Sequence, residues 1–363
     1  MLEVVKDQVD WRLPEYREQV FLDFYEFHLK YRAHPGAVYY LMPYLRRVHN
    51  MTEEEALWFA FINGNTQNPI TTWLLWGQFP TPADADEMLA WFAENYDRLS
   101  FDTDRRYHKK SFAQATKGYL KLLSGTSQGE LWHSAALGGF EAVWKVATAI
   151  PTFGRLSAFS YGEYLRIMGI DYDCDNLLLS DISGSRSHRN GLCIVTGLDE
   201  YDWHKSNPNF DGNYPAALIS ALEDVGSSIL QKAKARAVGQ DYEKDVSYFT
   251  LESALCTYKS WHRPNRRYPN VYNDMLYYRI KKAEKEWQNV DFSVFWEARK
   301  QYLPDYLRLE DNPHDVGLVP LKQNHYLKTG QVIMMDRDYD SYQNSYNDAV
   351  RAGTLPRRED NDD

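Results

Sequence analysis

The chain has 363 residues, room for one large domain or two smaller ones, and its 44% hydrophobic and 25% charged residues are those of a globular protein. A formal charge of −10 excludes capture of nucleic acid by overall attraction and leaves a local basic face as the electrostatic route to a phosphate backbone. Cys174, Cys193 and Cys256 are too widely spaced for a disulfide framework or a metal-ligand pattern, no run is apolar enough to span a bilayer, and the N-terminus lacks signal-peptide anatomy; the sequence reads as cytosolic.

Helical spacing opens the chain. Residues 15–31 carry Val20, Phe21, Phe24, Tyr25, Phe27, His28 and Tyr31 as an aromatic stripe, and residues 37–49 repeat the pattern with Leu41, Tyr44, Leu45 and Val48. Thr52 and Glu55 form a capping box for a third helix expected to end near Ile62. The amide-rich segment Asn63 to Asn68 follows, with Gly64 as helix terminator and Pro69 restarting the next helix. Asn and Gln offer paired donors and acceptors suited to a base edge, and the same residues also satisfy their own backbone in turns. Further helices are expected over 83–96 and 111–123, the latter after the basic cluster Arg105 to Lys110, and Ser124 to Gly129 reads as a flexible link.

The densest stretch runs from Gly139 to Gly191. A helix over 139–150 breaks at Pro151-Thr152-Phe153-Gly154, and a second helix runs from Arg155 to Met168. An acid-rich turn follows with Asp171, Asp173 and Asp175, then a polar loop from Asp181 to Gly191 containing Arg186, His188, Arg189 and Asn190. Residues 192–197 are short and β-branched, as in a strand or a buried connector. A long helix is expected over 216–239 and another over 252–261. From Lys259 to Lys285 eight basic residues face two acids, with Tyr258, Trp261, Tyr268 and Tyr272 among them. That mixture suits a phosphate polymer with stackable bases. The last helix covers 291–307, and a polar tail follows residue 338. The fold is expected to be mainly α, organised as an N-terminal helical region (1–129), a second helical region (130–338) packed with it as one catalytic unit, and a tail (339–363).

Ile150-Pro151-Thr152-Phe153-Gly154-Arg155-Leu156-Ser157-Ala158 resembles the hairpin of the helix-hairpin-helix DNA glycosylases, in which the Gly exposes backbone N–H groups that bind a DNA phosphate. In the lyase members a Lys nucleophile stands where this chain has Leu156, so Schiff-base chemistry is not expected there. Longer motifs, Phe61 to Pro69, Ser185 to Gly191, Glu252 to Lys259 and Arg266 to Asp274, resemble the amino acid:DNA transferases of bacteriophages, also called α-glutamyl/putrescinyl thymine pyrophosphorylases, which are related to DNA glycosylases.

That resemblance implies a helix-hairpin-helix, glycosylase-like fold and a DNA-hypermodifying enzyme. Its substrate would be DNA carrying 5-hydroxymethyluracil already pyrophosphorylated by an upstream DNA-base kinase; a small amine or amino acid displaces pyrophosphate at the 5-methylene carbon. Chemistry then assigns candidates. Asp181, Glu252, His188 and Asp175 (with Asp173 as its neighbour) are candidates for proton transfer. Arg189, Lys259, Arg266 and Arg267 suit pyrophosphate. Asn63, Asn65, Gln67, Arg186, Asn190, Tyr268, Tyr272 and Asp274 suit the amine or the base, and Gly154 and Arg155 the DNA backbone. Mg2+ fits a pyrophosphate leaving group, although no ligand spacing calls for one. The acids also have structural readings: Asp173 and Asp175 as helix caps, Asp181 in an Asx turn, Glu252 as a buried partner of an Arg. Two further functions stand beside the transferase, a monofunctional base-excision glycosylase using Asp173 or Asp175 and a non-catalytic phage DNA-binding protein. The setting expected is the host cytoplasm during phage infection.

Overall fold

The computed structural model describes residues 14–101, 109–181, 186–201, 213–258 and 270–311. Among these there are fourteen α-helices and no strand. In chain order they are α1 (Pro14–Lys30), α2 (Val38–Val48), α3 (Glu53–Thr66), α4 (Pro69–Trp76), α5 (Ala85–Asn95), α6 (Lys109–Leu122), α7 (Gln128–Leu137), α8 (Gly139–Ala149), α9 (Arg155–Ile167), α10 (Arg186–Thr196), α11 (Ala216–Ala237), α12 (Tyr248–Tyr258), α13 (Val271–Glu286) and α14 (Ser293–Tyr302). The mainly α expectation holds. No described helix is long and apolar enough to cross a membrane.

The chain divides into two compact units. The first takes its described residues from Met1–His34, Asn176–Asp274 and Leu303–Asp363, and so contains α1, α10, α11, α12 and the first turn of α13. The second comprises Pro35–Asp175 and Met275–Tyr302.

In the first unit α10 and α12 pack at unusually short range. A methyl group on Gly191 of α10 would lie 2.8 Å from the carbonyl carbon of Leu255 on α12, and closer still to its oxygen. Only a residue without a side chain lets the two backbones approach this far. Helix α1 braces both partners: Arg17 donates to the Ile194 carbonyl at 3.1 Å, and Tyr25 bonds the Thr250 hydroxyl at 2.7 Å. Phe21 and Phe24 of α1 pack edge-on against the buried ring of Tyr258, at 5.0 and 5.1 Å. Of residues 192–197, with their β-branched character, 192–196 are the second half of α10 rather than a strand, buried as far as Val195. Tertiary burial of Leu192, Cys193, Ile194 and Val195 outweighs their strand preference.

In the second unit α3 is the central element, with every residue from Ala56 to Thr66 buried. Its capping box forms as expected: Glu55 N–H donates to the Thr52 hydroxyl at 3.3 Å, and Thr52 N–H donates to the Glu55 carboxylate at 2.8 Å. The helix does not stop at Ile62. It runs to Thr66 and ends on Gln67, whose φ of 55° takes the left-handed position assigned above to Gly64. Gly64 is small for a different reason, since a methyl there would meet Tyr161 of α9 at 3.0 Å. Asn68 caps α4 by accepting from the N–H groups of Ile70 and Thr71, with Pro69 in the first turn.

The link expected at 124–129 is a turn over 123–127, and its last two residues already belong to a helix. Ser127 and Glu130 form a second capping box, and α7 follows. Helices α8 and α9 are joined by the turn 150–154, where Thr152 is held at a φ of 68°.

Candidate active site

The pair that stands out in the first unit is His188 of α10 with Glu252 of α12. His188 Nδ1 lies 3.1 Å from Glu252 Oε1, and its Nε2 lies 2.9 Å from the Leu177 carbonyl. A carbonyl only accepts, so Nε2 carries hydrogen and Nδ1 faces the carboxylate. With neither group protonated at that contact, a lone pair would oppose a carboxylate. At 3.1 Å the two atoms stand at ion-pair distance, an approach that is attractive when His188 is imidazolium and Glu252 carboxylate. His188 is 1% exposed and the Glu252 side chain 10%, so both are buried and Glu252 keeps the larger share of exposed surface.

Several residues aim this pair. Glu223 of α11 accepts from the N–H groups of Leu177 and Leu179 at 3.3 and 2.8 Å, fixing the loop whose Leu177 carbonyl holds His188. Arg189 is fully buried; its guanidinium sits 4.0 Å from the Tyr214 ring centroid and donates to the Leu179 carbonyl at 3.4 Å. In this position its charge is directed at the loop and the ring. The Tyr214 hydroxyl donates to the Tyr201 carbonyl at 2.8 Å and lies 3.2 Å from Asn190 Oδ1. Glu223 and Tyr214 were missed in sequence, since neither stands in a motif and their partners are distant in the chain.

The remaining candidates are distributed as follows. Arg186 is exposed in the first turn of α10, and Asp181 is partly exposed, its N–H donating to the Leu178 carbonyl at 3.2 Å. Asp274 is buried and accepts from Asn270, which also donates to the Leu307 carbonyl at 2.9 Å; Tyr272 of the same turn is partly exposed. Lys259, Arg266, Arg267 and Tyr268 lie outside the described residues.

Asn63, Asn65, Gln67, Gly154, Arg155, Asp173 and Asp175 belong to the second unit. Asn65 donates to the Phe112 carbonyl and Asn63 accepts from Thr72, both fully enclosed, which leaves Gln67 as the amide with exposed surface. Gln67 bridges the Gly64 carbonyl at 3.1 Å and the Tyr164 hydroxyl at 3.3 Å. Asp173 lies 3.6 Å from Arg166, and Asp175 is exposed. Gly154 is exposed at the start of α9, which has no side-chain cap, and Arg155 stacks its guanidinium 5.0 Å from the Phe159 ring. Among the described residues no group of three or more His, Cys, Asp or Glu side chains could hold a metal ion.

The first unit thus offers a buried histidine at ion-pair distance from a buried carboxylate. Residues 34–267 match the family model described as amino acid:DNA transferase. The chain belongs to the amino acid:DNA transferase family. It is also 27% identical over 344 residues to a serinyltransferase of Salmonella phage ViI, covering 89% of this chain and 83% of that protein. No solved structure matches the chain. As an amino acid:DNA transferase, the protein is a transferase that modifies DNA with an amino acid.

Proposed function

We propose that this transferase joins an amino acid to the 5-methylene carbon of pyrophosphorylated 5-hydroxymethyluracil in DNA, releasing pyrophosphate. One bond forms, from the amine nitrogen to the methylene carbon, and one breaks, from that carbon to the pyrophosphate oxygen. The nitrogen gives up a proton. The His188–Glu252 pair is the observation that carries this reading, because the displacement requires a group that takes the proton of the amine. Glu252, as carboxylate, takes the proton, and His188, as imidazolium with its Nε2–H donated to the Leu177 carbonyl, holds that carboxylate in place by its charge. Asp181 is the nearest alternative acid in sequence.

Cations balance the charge gathering on the departing pyrophosphate. Arg186 is the exposed candidate, and Lys259, Arg266 and Arg267, outside the described residues, are the others assigned to this role. Arg189 acts as a positioning residue through Tyr214 and the loop 177–179. The N-terminus of α9, with Gly154 and Arg155, holds a DNA phosphate. A related chain named serinyltransferase makes serine the first amino acid to try. A kinase acting on the hydroxymethylated base must supply the substrate, and phage DNA in the host cytoplasm is where the two would meet.

The test uses DNA with pyrophosphorylated 5-hydroxymethyluracil, wild-type protein and separate amino acids and polyamines, followed by digestion to nucleosides and mass analysis. A nucleoside heavier by the amine, with equimolar pyrophosphate and a fragment spectrum placing the new bond at nitrogen, supports the proposal. Free base with an abasic site would establish a glycosylase instead, and unchanged nucleosides with every amine would leave DNA binding alone.

A further inference from the structure

Leu137, the last residue of α7, is 91% exposed, the most exposed large apolar side chain among the described residues. Its setting is unusual. Ala135, Ala136, Gly138 and Gly139 flank it, so the tip between α7 and α8 carries no charge and only one bulky group. Gly139 has a φ of 73°, which reverses the chain sharply enough to push Leu137 outward.

The tip is rigidly mounted. At the far end of α7 the Glu54 carboxylate accepts from the N–H groups of Gln128 and Gly129, at 3.1 and 2.7 Å. Trp132, in the middle of α7, is fully buried and donates to the Tyr119 hydroxyl at 2.8 Å. On the other side α8 sets Phe140, Val143 and Ala147 in the core. A leucine held out on two anchored helices is presented, and its exposure is not the slack of a loose loop.

What it is presented to follows from size and charge. One leucine offers on the order of 100 Å² of apolar surface. That is far below the roughly 1,200–2,000 Å² of a stable protein interface. It does match the slot between two adjacent base pairs, which apolar side chains enter as wedges. Resting on the reading that the protein acts on a base in DNA, a filler is also required, because the 5-methylene is reached by turning the base out of the stack. The turn 150–154, with the α9 start assigned to a phosphate, lies at the opposite end of α8. Eleven residues separate the two ends, about 16 Å at 1.5 Å per residue, or roughly five base-pair steps. That spacing lies within the length of a single duplex contact.

We propose that Leu137 is a wedge that enters the base stack of duplex DNA and occupies the space left by the target base. The wedge matters only where a stack exists. Wild-type protein, Leu137→Ala and Leu137→Met are compared on the same modified oligonucleotide, single-stranded and in duplex. Leu137→Ala should lose at least tenfold in rate on duplex and no more than twofold on single strand, with Leu137→Met close to wild type on both. Its melting temperature should stay within about 1 °C of wild type because the residue is exposed. Equal losses on both substrates, or no loss on duplex, would overturn the proposal. A second arm needs no turnover: 2-aminopurine placed beside the target base in duplex should brighten with wild-type protein and stay dim with Leu137→Ala. The same response from both proteins, or none from wild type, would also overturn it. Absence of transfer on single-stranded DNA with a positive 2-aminopurine response would count against the assigned reaction and not against the wedge.

Discussion

Gly191→Ala probes the joint on which the site depends. The added methyl would lie 2.8 Å from the Leu255 carbonyl carbon, where carbon atoms normally rest about 3.5–4.0 Å apart. Backbone cannot rotate out of the way as a side chain can, so α10 and α12 must part by about 1 Å. Overpacking of this kind costs roughly 1–3 kcal/mol, or roughly 2–12 °C in melting temperature for a protein unit of this size. The larger effect falls on His188, one turn earlier on α10. Its 3.1 Å contact with Glu252 would open to about 4 Å, beyond a charge-assisted hydrogen bond. A displacement of about 1 Å in a catalytic group costs on the order of 100-fold in rate. Thermal melts by circular dichroism and steady-state transfer on the modified oligonucleotide give the two numbers together. A melting temperature within 1 °C of wild type with kcat within twofold would refute the claim that this crossing positions the pair.

Three other outcomes are expected. Glu223→Ala removes the acceptor for Leu177 and Leu179 N–H, so it should lower kcat roughly 10-fold or more with little change in DNA binding, measured by rate and by anisotropy. An equal loss in binding would make Glu223 merely structural. Burial lowers the pKa of His28 from 6.5 to about 3. The fold therefore favours neutral imidazole; its stability contribution is complete above pH 6.5 and is lost as pH falls toward 3. At pH 5 the loss is about 2 kcal/mol. Urea unfolding at pH 7.5 and pH 5 should show that Leu in place of His28 shrinks the difference by about 2 kcal/mol, leaving the part due to His34, which burial also keeps neutral; an unchanged pH dependence would contradict it. Finally, Glu54→Ala leaves the first turn of α7 without its acceptor and should cost about 1–3 kcal/mol, read from denaturant midpoints.

Much of this was legible in the sequence because the signals were local. The Thr52 box and the Pro69 restart each rest on residues within one turn of each other, and the structure keeps them. The end of α3 was not legible. Gly64 has the composition of a terminator, but its role is set by Tyr161, almost a hundred residues away. Helix α10 was misread for the same reason. Ser185 to Gly191 is polar enough for a loop and residues 192–197 β-branched enough for a strand, and packing against α1 and α12 makes Arg186–Thr196 one helix. For the site, His188 and Glu252 were both named, yet their spacing of 64 positions gave no sign that they touch. Asn63 and Asn65 show the reverse: amides that look suited to a ligand are closed around Thr72 and Phe112.

The central claim is that Glu252, backed by His188, takes the proton from the incoming amine. Its most direct test is the yield of amino-acid-bearing nucleoside, by mass, from wild type and Glu252→Gln across pH 6 to 9 on pyrophosphorylated substrate. Gln keeps the size and the hydrogen-bonding edge while removing the base. The account predicts a loss of about 100-fold or more at pH 7, with part of the rate returning toward pH 9 as the free amine deprotonates unaided. Wild-type rates in Glu252→Gln with the same pH profile would contradict it.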